Sequence, residues 1–159
     1  WEQLMSLGQA PGLVPAGLGA RDTLRLEMGY ALYGHELSTD RSPVGASRGK
    51  FINRDKSFIG KSAVVNELDQ GAEKYLVGLQ LETKRAARQG DPVIHQGKTV
   101  GQLTSGSLSP SLGVAVAMAY VDADLTRPGQ DLHVDVRGKP LASTVVELPF
   151  YKKGSARKK

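Results

Sequence analysis

The sequence predicts an α+β fold, with helices and loops over residues 1–72 and short strands, mostly antiparallel, from residue 73 onward. Three observations carry this. Apolar residues recur at helical spacing in the first part. They switch to strict alternation at Lys74. Gly- and Pro-containing turn signals then follow at short intervals.

Trp1, Leu4 and Met5 have helical spacing, with Gly8 as a stop. The pattern is already under way at the first residue, so the natural chain is expected to continue upstream. Gly12 to Gly19 is rich in Gly and Pro and reads as a loop or short strand. From Ala20 to Tyr33 a helix is predicted, with Leu24, Met28, Ala31 and Leu32 as its apolar stripe. Ser38 to Asn53 has no clear period and reads as a loop. Ser57 to Gly71 reads as another helix, closed by Gly71.

At Lys74 the period becomes two: Tyr75, Val77, Leu79 and Leu81 alternate with Leu76, Gly78 and Gln80. Further strands are predicted over Asp91–His95, Thr99–Thr104, Ala115–Val121, Asp131–Arg137 and Leu141–Leu148. Turns at Gln96-Gly97, Pro128-Gly129 and Gly138-Lys139 separate several of them. Short strands so spaced suggest a small barrel or sandwich.

Composition excludes several classes. Hydrophobic residues make up 40% and charged residues 23%, as in soluble globular proteins. No apolar run reaches the roughly 18 residues needed to span a bilayer, so no membrane association is expected. The first residues lack the basic and apolar regions of a secretory signal. There is no cysteine, hence no disulfide, thiolate metal site or cysteine nucleophile. The net charge of +5 comes from the end of the chain: Lys152, Lys153, Arg157, Lys158 and Lys159 follow Phe150 with no acid among them. Without those five, the 21 Lys and Arg fall to 16, equal to the 16 Asp and Glu. A nucleic-acid module carries its basic footprint on the fold itself, so no nucleic-acid partner is expected. Residues 151–159 read as a solvated basic tail.

Gly45-Ala46-Ser47-Arg48-Gly49 matches the G-x-S-x-G spacing of a serine nucleophile elbow. That device needs a strand before it and a helix after it; Ser42-Pro43 and Lys50 to Asn53 supply neither. His35, His95 and His133 share no metal-ligand spacing, and Gly17-Leu18-Gly19 lacks the third glycine of a dinucleotide fingerprint.

Arg21 opens the Ala20–Tyr33 helix, at the positive end of the dipole and one turn from Arg25. It is either paired with Asp22 or another acid, or held to meet an anion or carbonyl of a ligand. Thr104 to Pro110 is a cluster of hydroxyls with Gly and Pro. Its bland reading is a loop whose hydroxyls satisfy its own backbone; the other is a loop touching a ligand or the neighbouring domain.

Several stretches together resemble one family. They are Pro15-Ala16-Gly17-Leu18-Gly19-Ala20-Arg21-Asp22-Thr23-Leu24-Arg25-Leu26-Glu27-Met28-Gly29-Tyr30 with Leu32-Tyr33-Gly34, then Phe58-Ile59-Gly60-Lys61, then Gly101-Gln102-Leu103-Thr104-Ser105-Gly106 with Ser109-Pro110-Ser111-Leu112, then Ala117-Met118-Ala119-Tyr120-Val121, and finally Pro149-Phe150. Their order and spacing are similar to the glycine cleavage T-proteins, the aminomethyltransferases, over about residues 12–150.

The resemblance implies a partial α/β folate-binding domain over 1–72 and a small antiparallel β-barrel domain over 73–150. It implies tetrahydrofolate as cosubstrate and the lipoylated H-protein of the glycine cleavage system as partner, with methylenetetrahydrofolate and ammonia as products. The site would be cytoplasmic in a bacterium or the mitochondrial matrix in a eukaryote. Arg21 matches the family's folate-contacting arginine, and Arg157 is the nearest match to a second contact at the C-terminus. No catalytic residue is assigned, because the family's catalytic aspartate and pterin-holding glutamate are expected upstream of Trp1. The alternative is a non-catalytic folate-binding or docking module of the same superfamily. The chain departs from the family at Ala46 to Phe51, where an apolar stretch is usual. It also lacks the cysteine motif of a related iron–sulfur assembly protein, having Ser57 to Lys61 there instead.

Overall fold

The computed structural model describes residues 1–154. The chain forms α1 (Glu2–Gly8), α2 (Leu18–Glu27) and α3 (Lys61–Gln70), followed by strands β1 (Lys74–Leu81), β2 (Pro92–His95), β3 (Lys98–Leu108), β4 (Ala115–Asp122), β5 (Asp131–Asp135) and β6 (Pro140–Val146). The strands close into a barrel in the order β1-β4-β3-β2-β5-β6, and every pairing is antiparallel.

Alternation decides what goes inside. Val77, Leu79 and Leu81 of β1 and Ala115, Ala117, Ala119 and Val121 of β4 join Val93, Leu103, Leu132, Val134 and Val145 in the barrel core. The small alanines leave room for the leucines across the barrel. β4 is buried nearly throughout, because its other face is covered too. There Val116, Met118 and Tyr120 pack with Leu26 of α2, Leu76 and Phe150. The chain end lies over β1: a Cβ on Gly78 would stand 2.7 Å from Leu148 and 3.0 Å from Phe150.

Turn chemistry closes the hairpins. Gln96 and Gly97 both have positive φ, as do Arg137 and Gly138, which is the two-residue turn that matches strand twist. Pro128-Gly129 turns through a bond from Gln130 N–H to the Arg127 carbonyl, with Gly129 at φ 89°.

The structure corrects several boundaries. α2 ends at Glu27, not Tyr33. Gly29 takes φ 64°, and the Gly29 and Tyr30 amides cap Leu26 and Arg25, a left-handed helix stop. The buried face is then Leu26 and Glu27, while Leu24 of the expected stripe is 65% exposed. α3 starts at Lys61 and ends at Gln70 with Gly71 as its cap. β3 runs on to Leu108, so most of the hydroxyl cluster is strand. β5 and β6 stop at Asp135 and Val146, short of the predicted Arg137 and Leu148. After Phe150 the chain is still attached, because Tyr151 donates its N–H to the Glu27 carbonyl at 2.9 Å.

Candidate functional site

The candidate site is built around α2, whose contacts with the barrel run to β3 and β4. Three consecutive residues seat it. Leu26 enters the apolar cluster between α2 and β4. On either side of it, Arg25 and Glu27 reach separate polar anchors.

Arg25 uses the full fork of its guanidinium. It bonds Asp22 at 2.7 Å, Glu36 Oε2 at 2.8 Å and Ser105 Oγ at 2.8 Å. Glu36 is fully buried. Its Oε2 also accepts the Leu32 N–H at 2.9 Å, and its Oε1 has no partner among the described residues. The pair therefore ties the segment after α2 back onto the helix. The segment has further tethers. Tyr120 Oη donates to the Glu36 carbonyl at 2.9 Å, and His35 Nδ1 lies 3.1 Å from the Thr104 carbonyl.

Glu27 fastens the other side. Ser109 Oγ (2.5 Å), the Ser111 N–H (2.9 Å) and Ser111 Oγ (2.7 Å) all donate to its carboxylate. Burial pushes its pKa up, but these three donors outweigh burial and hold it below the ordinary carboxylate value. Tyr120 is shifted the other way: burial raises its pKa, and the Arg41 guanidinium, stacked 4.1 Å from the ring centroid, opposes the rise in part.

Arg21 lies on the open side of this helix and is exposed. The ion pair with Asp22 expected from spacing is made by Arg25 instead, and Arg21 forms no ion pair among the described residues. Leu18 and Leu24 flank it on the exposed face, and Tyr30 and Tyr33 beyond the helix are 61% and 71% exposed. Arg157 lies outside the described residues.

Other sequence candidates are spent elsewhere. Ser47 has φ 57°, but its Oγ donates to the Leu76 carbonyl at 3.0 Å. His95 and His133 sit on neighbouring strands β2 and β5. Among the described residues no group of three or more His, Cys, Asp or Glu could hold a metal ion, and no helix is long and apolar enough to cross a membrane. Arg25, Glu36 and the seat on Ser105 and Ser109 were not legible from spacing. The available signal was the hydroxyl pair at i, i+4, Ser105 on β3 and Ser109 just past its end, together with the Arg-Leu-Glu of the helix.

A helix seated by buried charges on a closed antiparallel barrel, with an arginine of that helix unpaired among the described residues, defines the class: an α+β protein that presents a cation beside a barrel. Comparison with known proteins narrows it. Residues 74–152 match the glycine cleavage T-protein C-terminal barrel domain, and residues 1–56 match the GCVT N-terminal domain. The chain belongs to the glycine cleavage T-protein family and corresponds to its C-terminal portion. An aminomethyltransferase of Cutibacterium acnes is 52% identical over 155 residues, covering 96% of this chain and 41% of that protein. One from Synechococcus elongatus is 48% identical over 154 residues, covering 96% and 40%. The crystal structure of the glycine cleavage system aminomethyltransferase T from Bartonella henselae superposes with a TM-score of 0.82 at 35% identity, over 86% of this chain and 39% of that one. The chain thus spans about two-fifths of the length of these relatives.

Proposed function

We propose that this chain is the C-terminal portion of a tetrahydrofolate-dependent aminomethyltransferase of the glycine cleavage system. The parent enzyme takes an aminomethyl group from the lipoyl arm of the H-protein and yields methylenetetrahydrofolate and ammonia. The observation that carries the reading is Arg21: a guanidinium with no acid partner among the described residues, on a helix fixed to the barrel, in a chain half identical to named aminomethyltransferases. Its planar fork suits a carbonyl or carboxylate of a folate. The residues present fit such a ligand as a binding half-site. Exposed Leu18 and Leu24, three residues to either side of Arg21 on α2, offer apolar surface for a flat heterocycle.

The same residues support an inactive fragment. Proton transfer to or from a folate nitrogen needs a positioned acid or base. The carboxylates near α2 are committed: Asp22 to Arg25, Glu36 to Arg25 and Leu32, Glu27 to the serines. A catalytic carboxylate would come from the upstream part that the relatives possess. Exposed Leu4 and Leu7 on α1, and Trp1 just before it, suit contact with such a part. The parent would work in the bacterial cytoplasm or, in a eukaryote, the mitochondrial matrix; the absence of cysteine fits such a compartment.

The test is methylenetetrahydrofolate formation by this chain and by its full-length parent, each with lipoylated H-protein. The parent should turn over and the fragment should not. Turnover by the fragment near the parent's rate would place the catalytic acid within these residues. A parent that binds folate without turnover would make the protein a non-catalytic module.

A further inference from the structure

We infer that Arg25 and Glu36 are positioning residues for Arg21, an inference that rests on the folate reading given above. Among the described residues Arg21 has no ion pair of its own, so where it points follows from how α2 is seated. α2 touches the barrel through its C-terminal half, where Leu26 and Glu27 are buried, while Leu18, Arg21 and Leu24 are exposed. The first turn has no side-chain cap. Of the polar residues beside Arg21, Asp22 bonds Arg25 of the same helix, and Thr23 bonds the carbonyls of Gly19 and Ala20 in the same helix. The rotation of α2 about its axis is therefore set by the seat at residues 25 to 27.

The seat resists rotation because its anchors diverge. Successive residues are offset by about 100° around a helix, so Arg25 and Glu27 lie about 200° apart. One holds Glu36 and Ser105 at 2.8 Å, the other Ser109 and Ser111 at 2.5 and 2.7 Å. Turning the helix either way breaks one set. Arg21, four residues before Arg25, lies about 40° from it around the axis and one turn along it. It is thereby presented on the side where the segment from Tyr30 to Glu36 folds back. Arg25 is the more telling anchor because its planar fork holds three partners at fixed angles, a geometry that the compact ammonium of lysine, with its rotatable donors, does not reproduce. With Glu36 fully buried, the pair has one arrangement rather than a family of solvated ones. Misplacement of a binding group by about 1 Å is enough to cost affinity and rate.

The experiment is a double-mutant cycle on the full-length parent, read as the dissociation constant for tetrahydrofolate. Arg21→Ala should weaken binding roughly 10- to 100-fold. Arg25→Lys should weaken it roughly tenfold in the natural background. In the Arg21→Ala background Arg25→Lys should change it by less than about twofold, because there is no longer an Arg21 to aim. Ser105→Ala, which removes one anchor and keeps all charges, should show the same pattern at smaller amplitude and guards against a misfolded Arg25→Lys. Equal weakening by Arg25→Lys in both backgrounds would overturn the positioning role while leaving the folate reading intact. No effect of Arg21→Ala on folate binding would overturn both.

Discussion

α2 and α3 are helices of equal length, each with 10 residues, on the same molecule, yet they are held by different physics. α2 has an apolar residue and a carboxylate buried against the barrel and an arginine almost out of water. α3 buries none of its residues. Its ties are a Leu68 methyl close to Gly49, the Ala72 N–H bonded to Tyr75 Oη at 2.8 Å, and an exposed Arg54–Asp69 pair at 2.8 Å. Both close on a glycine at positive φ. Helix formation is thus shared and anchoring is not. Charges removed from water and held by several partners fix a helix in one pose, whereas charges left in water only decorate one.

The sharpest way to break this comparison is Arg25→Met. It would leave Glu36 buried with its Oε2 bonded only to the Leu32 N–H and its Oε1 unpartnered. Removing one member of a buried pair typically costs about 3–5 kcal/mol. Urea unfolding followed by circular dichroism should show a loss of that order. Arg25→Met/Glu36→Leu should recover much of it, because the stranded charge goes as well.

Next in size is the pH response of the other anchor. Glu27 has a folded-state pKa below its ordinary value of 4.5. A carboxyl with a depressed folded pKa contributes stability that is fully present above its unfolded pKa and is lost as pH falls through the folded one. The chain should therefore lose stability below about pH 4.5, and Glu27→Gln should flatten that part of the curve while lowering stability at pH 7. Midpoints of urea unfolding between pH 3 and 7 for both proteins check this. Parallel curves would show that Glu27 is not the group responsible.

The contrast also explains what the sequence disclosed. All six strands were legible to within a few residues, because alternation reports burial on one barrel face directly, as in Val77, Leu79 and Leu81. The end of α2 was not. Met28, Ala31 and Leu32 continue a helical pattern, but Gly29 stops the helix, and the segment beyond is pinned by long-range partners such as Ser105 that no local period encodes. Burial of Arg25, Glu27 and Glu36 was hidden for the same reason: charged residues read as exposed until their partners are known. Arg21 was singled out from its awkward place at a helix start. Its lack of an acid partner among the described residues emerged only when Asp22 proved to be taken by Arg25.

The smallest expected effect lies on α3. Arg54 and Asp69 pair at 2.8 Å with both side chains more than half exposed. An exposed pair gains little Coulomb energy in water, gives up side-chain freedom, and is screened by salt. Asp69→Asn should therefore shift stability by no more than about 0.5 kcal/mol, and that shift should shrink further at about 1 M salt, where the Debye length is about 3 Å. The Arg25 network, shielded by its burial, should keep its full effect under the same conditions. Unfolding midpoints of the Asp69→Asn and Arg25→Met chains at low and high salt therefore separate the two helices in one experiment. If Asp69→Asn cost as much as Arg25→Met, or if both effects faded equally with salt, burial would not be what distinguishes α2 from α3.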